Sequence, residues 1–151
     1  MNPPELRAKA LAFLARREHS RAELARKLTP HAPSNAAVEA LLDDLAGHGL
    51  LSDWRYAEQY TEVRSRKFGS LKVEHELRAK GVEDEIIAAA LAAAKSSEYE
   101  TALRVWQKKY AKNGAVGGVA EKARQMRFLS GRGFSDAVIR RVLRVCERDG
   151  D

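Results

Sequence analysis

The sequence contains a single cysteine, Cys146, in 151 residues. One thiol excludes an internal disulfide, and no second cysteine is present to join it in a cysteine-rich metal site. Cys146 follows Val142 and Leu143 at helical spacing on an apolar face. We therefore expect it to be buried as a small hydrophobic residue.

Long hydrophobic runs are also missing. In the first 20 residues, the short apolar stretches are broken by Arg7, Lys9 and Arg16, which fits neither a secretory signal nor a membrane span. The chain is 44% hydrophobic and 32% charged, and this balance is too apolar for a disordered protein. We expect a soluble, folded, cytoplasmic protein of about one domain's length, with no membrane partner.

Patterns typical of catalysis are absent as well. His19, His31, His48 and His75 show no metal-ligand spacing such as HExxH. The glycine-rich segment at 114–122, GAVGGVAEK, lacks the spacing and the Lys-Ser/Thr pair of a phosphate-binding loop. The paired carboxylates fall at predicted helix starts or on solvated faces, where they favour the helix dipole or solubility. The sequence therefore predicts no enzyme activity, no cofactor and no metal.

What the sequence has in abundance is helix-forming residues. Ala, Leu, Arg, Lys and Glu dominate, apolar residues recur at spacings of three and four, and no alternating Val/Ile/Thr run is typical of a strand. Ser20 followed by Glu23 predicts a capping box at one helix start. We predict an all-α protein with about nine helices.

The apolar pattern repeats with a period of about 50 residues. When the sequence is aligned with itself at an offset of 49 residues, Leu24 and Leu28 align with Val73 and Leu77. A further offset of 52 residues aligns Leu77 with Leu129. This pattern predicts three tandem repeats, each of three helices arranged like a helix-turn-helix. We call them the first module (1–51), the second module (52–95) and the third module (96–151), which is basic. Modules this small bury little surface alone, so we expect them to pack in series as an elongated, curved monomer.

A glycine marks the helix corner in the second and third modules. Gly81 is followed by Val82, and Gly133 is followed by Phe134. Glycine permits the left-handed backbone that ends one helix, and the next residue is an apolar anchor for the following helix. We predict both glycines in that conformation.

The net charge of +6 is concentrated in the last third of the chain. Residues 99–151 hold 12 Lys and Arg against 6 Asp and Glu, whereas residues 1–52 hold 7 against 6 and residues 53–98 hold 8 against 9. A basic field at one end favours an anionic partner, although a solvated helix face is the simpler alternative.

The last predicted helix, 135–148, separates its apolar and basic residues. Its apolar side carries Val138, Ile139, Val142, Leu143 and Cys146. The opposite side carries Arg140, Arg141, Arg144 and Arg148. Because arginine suits bidentate contacts with phosphate or carboxylate, we predict that these arginines bind a partner.

The segment 124–135, RQMRFLSGRGFS, adds Arg124, Arg127 and Arg132 to the basic surface. Phe128 lies among them at a position where the other modules have residues that normally face water. Two interpretations are open. Either the Phe128 ring is exposed and stacks on a base or enters a protein pocket, or Gln125 has displaced the usual core residue and Phe128 has rotated inward.

Two further basic patches complete the predicted surface. Lys108, Lys109 and Lys112 lie on the helix face opposite Trp106 and Tyr110, which we expect to be core residues. The patch of the second module consists of Arg64, Arg66 and Lys67 beside Phe68.

Three segments carry a resemblance to the RecX family, the regulators of the bacterial RecA recombinase. They are AFLARREHSRAELARKL at 12–28, GLLSDWRYAEQYTEVRSRKFGSLKVEHELRAKGV at 49–82 and RQMRFLSGRGFSDAVIRRVL at 124–143. The resemblance implies a helical protein without catalytic activity that lodges in the groove of the RecA–DNA filament. It further implies restraint of ATP turnover, strand exchange and SOS signalling.

From these observations we expect a noncatalytic modulator, mainly an inhibitor, that binds a RecA-type recombinase filament on single-stranded DNA. The basic residues would contact recombinase carboxylates or DNA phosphates directly. The alternative is a direct DNA-binding protein of helix-turn-helix type, since a basic last helix also permits that function.

Overall fold

The structure, a computed structural model, describes residues 1–111 and 117–149, with the backbone alone at 147–149. Within these ranges the chain forms nine α-helices, one 3₁₀ turn at Thr29–His31 and no strand. The helices are α1 (Pro3–Arg16), α2 (Arg21–Leu28), α3 (Asn35–Gly47), α4 (Asp53–Arg64), α5 (Ser70–Ala79), α6 (Asp84–Ser96), α7 (Glu98–Tyr110), α8 (Val119–Gly131) and α9 (Asp136–Asp149). The all-α prediction is confirmed.

Side-chain oxygens hold the first turns of several helices. Asn2 and Glu5 form a reciprocal capping box at the start of α1. Ser20 accepts a hydrogen bond from the Glu23 amide at 3.1 Å at the start of α2. The Glu23 carboxylate does not complete the predicted capping box with Ser20, because it accepts two hydrogen bonds of 2.9 Å from Arg17. None of the described helices combines the length and apolar character that crossing a bilayer requires.

The chain divides into two compact units. The first unit comprises Met1–Tyr60 with Leu77–Ala89, and the second comprises Thr61–Glu76 with the chain from Ala90 onward. Each unit contains one of the two glycine corners together with the helix start on which that corner packs. The module boundaries at 51/52 and 95/96 stay a prediction.

The first unit has a leucine-rich core. The buried residues are Leu6, Ala10, Leu24, Leu28, Val38, Leu42, Leu45 and Leu51. Gly81 has a φ of 81°, and an added Cβ there would collide with the side chain of Ala22 at the start of α2. The Ser20 hydroxyl donates to the Lys80 carbonyl at 2.8 Å. The backbone of the corner therefore packs directly against side chains at the start of α2.

The second unit has an aromatic-containing core. Its buried residues are Ala102, Trp106, Tyr110, Leu129, Phe134, Ile139, Val142, Leu143 and Cys146. The predictions that Trp106, Tyr110 and Cys146 are core residues are confirmed. Gln125 is also buried, and its side-chain oxygen accepts a 2.8 Å hydrogen bond from the Trp106 indole.

The second corner joins distant parts of this unit through main-chain contacts. Gly133 has a φ of 91°, so both predicted left-handed glycines are confirmed. The Gly69 amide donates to the Arg132 carbonyl at 2.8 Å, and the Leu71 amide donates to the Gly133 carbonyl at 3.1 Å. A Cβ on Gly69 would overlap the backbone of Gly133. The segment before α5 thus lies directly against the α8–α9 corner.

A buried carboxylate holds the start of α5 in this arrangement. Glu98, at the beginning of α7, accepts hydrogen bonds from the Ser70 amide at 3.1 Å and from its hydroxyl at 3.0 Å. A negative charge at a helix N-terminus is favourable, since the first amides of the helix have no intrahelical acceptor. Glu98 therefore ties α7 to α5.

Candidate polyanion-binding site

A groove of about 520 Å³ in the second unit is lined almost entirely by cations. We call it the basic groove; its lining residues are Arg66, Lys67, Arg104, Val105, Lys108, Lys109, Phe128 and Arg132. Six of these eight carry positive charge, and none is acidic. Like charges gathered around a concave surface focus a positive potential into it, which attracts anions.

Three chain segments supply the walls. Arg66 and Lys67 follow the end of α4, and Phe128 and Arg132 lie one turn apart at the end of α8. The third wall is α7, where residues 104, 105, 108 and 109 recur at helical spacing on one face. The basic groove depends on the Gly69–Gly133 contact, because that contact brings the end of α4 to the α8–α9 corner.

Two arginines bind the walls to each other. Arg132 donates from Nη1 to the Lys67 carbonyl at 3.2 Å. Its guanidinium carbon lies 5.0 Å from the ring centroid of Phe68 and 5.3 Å from that of Phe128. Arg104 donates from Nη2 to the Arg66 carbonyl at 3.0 Å. Both guanidinium groups therefore hold the loop after α4 in place as well as contributing charge.

Cations cover the two phenylalanine rings near the groove. Lys109 Nζ lies 4.0 Å from the Phe128 centroid. Arg64 and Lys72 lie 4.1 and 4.7 Å from the Phe68 centroid. Each ring attracts the positive charge through the negative potential of its face. These contacts fix ammonium and guanidinium groups near the groove.

Phe128 itself is half-buried and packs against the core of the second unit. Its ring meets Tyr110 edge to face, with centroids 5.6 Å apart. Burial raises the pKa of the Tyr110 phenol, although Arg124 acts to lower it, so Tyr110 stays neutral beside Phe128. Gln125 occupies the core position, and Phe128 has turned partly inward, as the second of the two sequence interpretations describes.

Little of the groove's charge is neutralised by nearby carboxylates. Arg66 lies 3.8 Å from Glu62, and both side chains are exposed. In the described part of the chain, the other five groove cations form no ion pair with a carboxylate. Arg64 differs, since it makes two hydrogen bonds of 2.7 and 3.1 Å to Glu76 and does not line the groove.

The remaining predicted residues lie outside the groove. Arg140, Arg141 and Arg144 are exposed on α9, where the Arg141 guanidinium stacks 3.7 Å from the Tyr99 centroid. Arg124 and Arg127 are exposed on α8, and Arg124 lies 3.2 Å from the Glu121 carboxylate. Lys112 and the Arg148 side chain lie outside the described residues.

Sequence reasoning missed Arg104. It is a single cation one turn before Lys108 on the same face of α7. That i,i+4 spacing was the available signal. Over residues 1–111 and 117–146, no group of three or more His, Cys, Asp or Glu side chains is placed to hold a metal ion.

Models of one protein family match almost the entire chain. The model described as "RecX, first three-helix domain" matches residues 7–45, the second three-helix domain matches 52–91, and the third matches 96–143. The three matches occur in the order of the predicted repeats.

Curated relatives agree with the family models. The chain is 43% identical over 152 aligned residues to the regulatory protein RecX of Leptothrix cholodnii, covering 99% of this chain and 96% of the relative. It is 40% identical to the regulatory protein RecX of Neisseria gonorrhoeae, covering 92% and 89% of the two chains.

Solved structures share the fold. The crystal structure of RecX from Lactobacillus salivarius aligns with a TM-score of 0.85 at 20% identity over 97% of both chains. A second crystal structure, of a regulatory protein RecX, aligns with a TM-score of 0.80 at 21% identity, over 93% of this chain and 70% of the other.

Proposed function

Because the chain belongs to the RecX family of regulatory proteins, we propose that it is a noncatalytic modulator, mainly an inhibitor, of a bacterial RecA-type recombinase. It binds the recombinase filament on single-stranded DNA and restrains ATP turnover, strand exchange and SOS signalling. In this proposal the protein acts as a cytoplasmic monomer without a cofactor.

The observation that supports this proposal is the basic groove. Six cations converge there without an acidic residue in the lining. A filament on DNA presents a continuous row of phosphates, and a concave basic surface raises the rate and strength of association with such a partner. The third module supplies four of the six cations, and the second module contributes Arg66 and Lys67.

The proposal is tested by measuring the DNA-stimulated ATPase of a RecA-type recombinase with and without this protein. We expect the wild-type chain to lower the rate. The variant Lys67→Gln/Lys108→Gln should lose most of this inhibition, because it removes two groove charges. Neither ammonium group covers an aromatic ring in the described structure, so the packing should survive.

A matched control removes the same charge elsewhere. Arg16 and Arg26 are exposed in the first unit, and Arg16→Gln/Arg26→Gln should inhibit like the wild type. An unchanged ATPase rate in the presence of the wild-type chain would refute the proposal. Sequence-specific binding to duplex DNA without the recombinase would instead indicate a DNA-binding protein of helix-turn-helix type.

A further inference from the structure

We infer that the basic groove is an oligophosphate site that recognises consecutive phosphate groups and not nucleic-acid bases. The inference deepens the proposed function, because it names the chemistry that the same cations bind. It rests on the charge of the lining, the size of the groove and the covering of the nearby aromatic rings by cations.

The lining fits phosphate. It offers two kinds of donor, ammonium groups from Lys67, Lys108 and Lys109 and guanidinium groups from three arginines. Guanidinium groups bind phosphate through paired N–H donors, and ammonium groups bind it as compact charges. The volume of about 520 Å³ lies within the range of small-ligand sites and exceeds what a single phosphate fills. Several phosphates in succession match both the charge and the size.

The aromatic rings are not available to stack on bases. Stacking of a single-stranded base on an aromatic side chain requires an open ring face. Here Lys109 covers Phe128 at 4.0 Å, and Arg64, Lys72 and Arg132 surround Phe68 at 4.1 to 5.0 Å. A base would have to displace a cation to reach either ring.

The other aromatic residues near the groove are inside the core. Trp106 is 6% exposed and Tyr110 is 3% exposed. The Trp106 indole already donates to Gln125. The lining also contains no side chain that accepts hydrogen bonds, so it offers nothing to the amino groups of base edges. Arginine and lysine can also donate to acceptors on base edges, but the lining offers neither an open ring nor an acceptor, so phosphate is the group of a nucleic acid that it matches best.

The experiment compares two labelled strands of equal charge by fluorescence anisotropy, using the full chain without recombinase. One strand is a dT 12-mer, and the other is a 12-mer of abasic tetrahydrofuran residues with the same phosphodiester backbone. We expect dissociation constants that agree within about twofold, because loss of even one stacked base lowers affinity by about fivefold or more.

Variants connect the binding to the groove. Lys67→Gln/Lys108→Gln should weaken both strands by the same factor and reduce the slope of log affinity against log salt by about one to two. Arg16→Gln/Arg26→Gln should bind like the wild type. Circular dichroism melting checks that each variant is folded.

Competition with inorganic tripolyphosphate shows whether the groove binds free polyphosphate or only the phosphate backbone of a nucleic acid. If it displaces the abasic strand at concentrations comparable with the strand's own phosphate concentration, free polyphosphates are ligands in their own right. If only longer strands compete, the extended backbone of a nucleic acid is the ligand. Either result supports an oligophosphate site.

Three results would overturn the inference. They are abasic binding more than about fivefold weaker than dT binding, a folded groove variant that binds like the wild type, and failure of both strands to bind. Failure of both strands leaves the ATPase test of the proposed function intact. Conversely, strand binding with an unaffected recombinase ATPase would refute the proposed function and leave this inference standing.

Discussion

His19 is a buried imidazole in the first unit, with 1% of its surface exposed. Its Nδ1 lies 3.1 Å from the Arg17 carbonyl, and its Nε2 lies 2.9 Å from the Lys27 ammonium. Because an ammonium group can only donate, Nε2 accepts and Nδ1 carries the proton that the carbonyl accepts. The site therefore fixes the neutral imidazole in one tautomer.

This arrangement predicts a loss of stability in mild acid. Burial lowers the pKa of His19 below its usual value and outweighs the hydrogen bond to the Arg17 carbonyl, which acts to raise it. The charges of Arg17 and Lys27 lower the pKa further. Between the two pKa values the unfolded chain binds more protons than the folded chain, so the unfolding free energy falls as pH drops below about 6.5. Urea unfolding at pH 7.5 and 5.5 should show this decrease in the wild type, and a smaller one in His19→Asn.

The exposed His75 provides the control, and His75→Asn should keep the wild-type pH dependence. Glu23 does not interfere in this pH range. Burial acts to raise the pKa of Glu23, but the hydrogen bond and charge of Arg17 outweigh it and leave the pKa below its usual value. Its contribution to stability is therefore lost only in stronger acid. Identical pH dependence in His19→Asn and the wild type would contradict the assignment.

Among the elements, the glycine corners have the most specific requirements. At Gly133, a φ of 91° coincides with an approach in which a Cβ would lie 2.6 Å from the Lys72 amide nitrogen. Gly133→Val should lower the unfolding free energy by at least about 1 kcal/mol, because the left-handed backbone disfavours a side chain and the neighbouring backbone leaves no room. Thermal melting followed by circular dichroism measures this change.

Gly131 is a close control, only two residues away at the end of α8. Nothing lies within 4 Å of a Cβ added there, and its φ is not positive. Gly131→Ala should leave stability unchanged or raise it by up to about 1 kcal/mol, since alanine is the better helix former. Equal melting temperatures for Gly133→Val and the wild type would show that the corner tolerates a side chain.

The helices and corners followed from local sequence, because periodicity and glycine placement act over a few residues. The predictions for Gly81, Gly133, Trp106 and Tyr110 are confirmed for this reason. The Glu98 contact with Ser70 was not predictable in the same way. It joins residues 28 positions apart through a buried carboxylate, and no local pattern distinguishes such a residue from a solvated one.

Over the whole molecule, the sequence located the excess charge but not its arrangement. The lining from Arg66 to Arg132 comes together through the approach of Gly69 to Gly133, which only the folded chain reveals. Phe128 was ambiguous because its position depends on whether Gln125 or an apolar residue fills the core. The role of each predicted site residue in binding stays a prediction.

The α9 arginines allow a separate test of where the charge acts. Arg140 and Arg144 are exposed one turn apart and lie outside the basic groove. Arg140→Glu/Arg144→Glu should change the unfolding free energy by no more than about 0.5 kcal/mol. It should greatly weaken inhibition of the recombinase ATPase, because attraction to an anionic partner becomes repulsion.

Comparison with Lys67→Gln/Lys108→Gln shows whether α9 binds DNA phosphates or recombinase carboxylates. If α9 binds phosphates, the charge reversal should also reduce the salt dependence of strand binding. If it binds carboxylates, strand binding should be nearly unchanged while inhibition is lost. Full inhibition by the folded α9 variant would exclude this face from the interface.

The contact between Gly69 and Gly133 has a consequence for how such a protein varies under selection. Because main-chain atoms meet there, no larger residue fits at either position, and no smaller residue exists to compensate for a change at the other. The separation of the groove walls is thus set by this main-chain contact together with Arg104 and Arg132, and not by the other four lining cations. Substitutions at Arg66, Lys67 or Lys108 can adjust affinity in small steps while the scaffold that displays them stays constant.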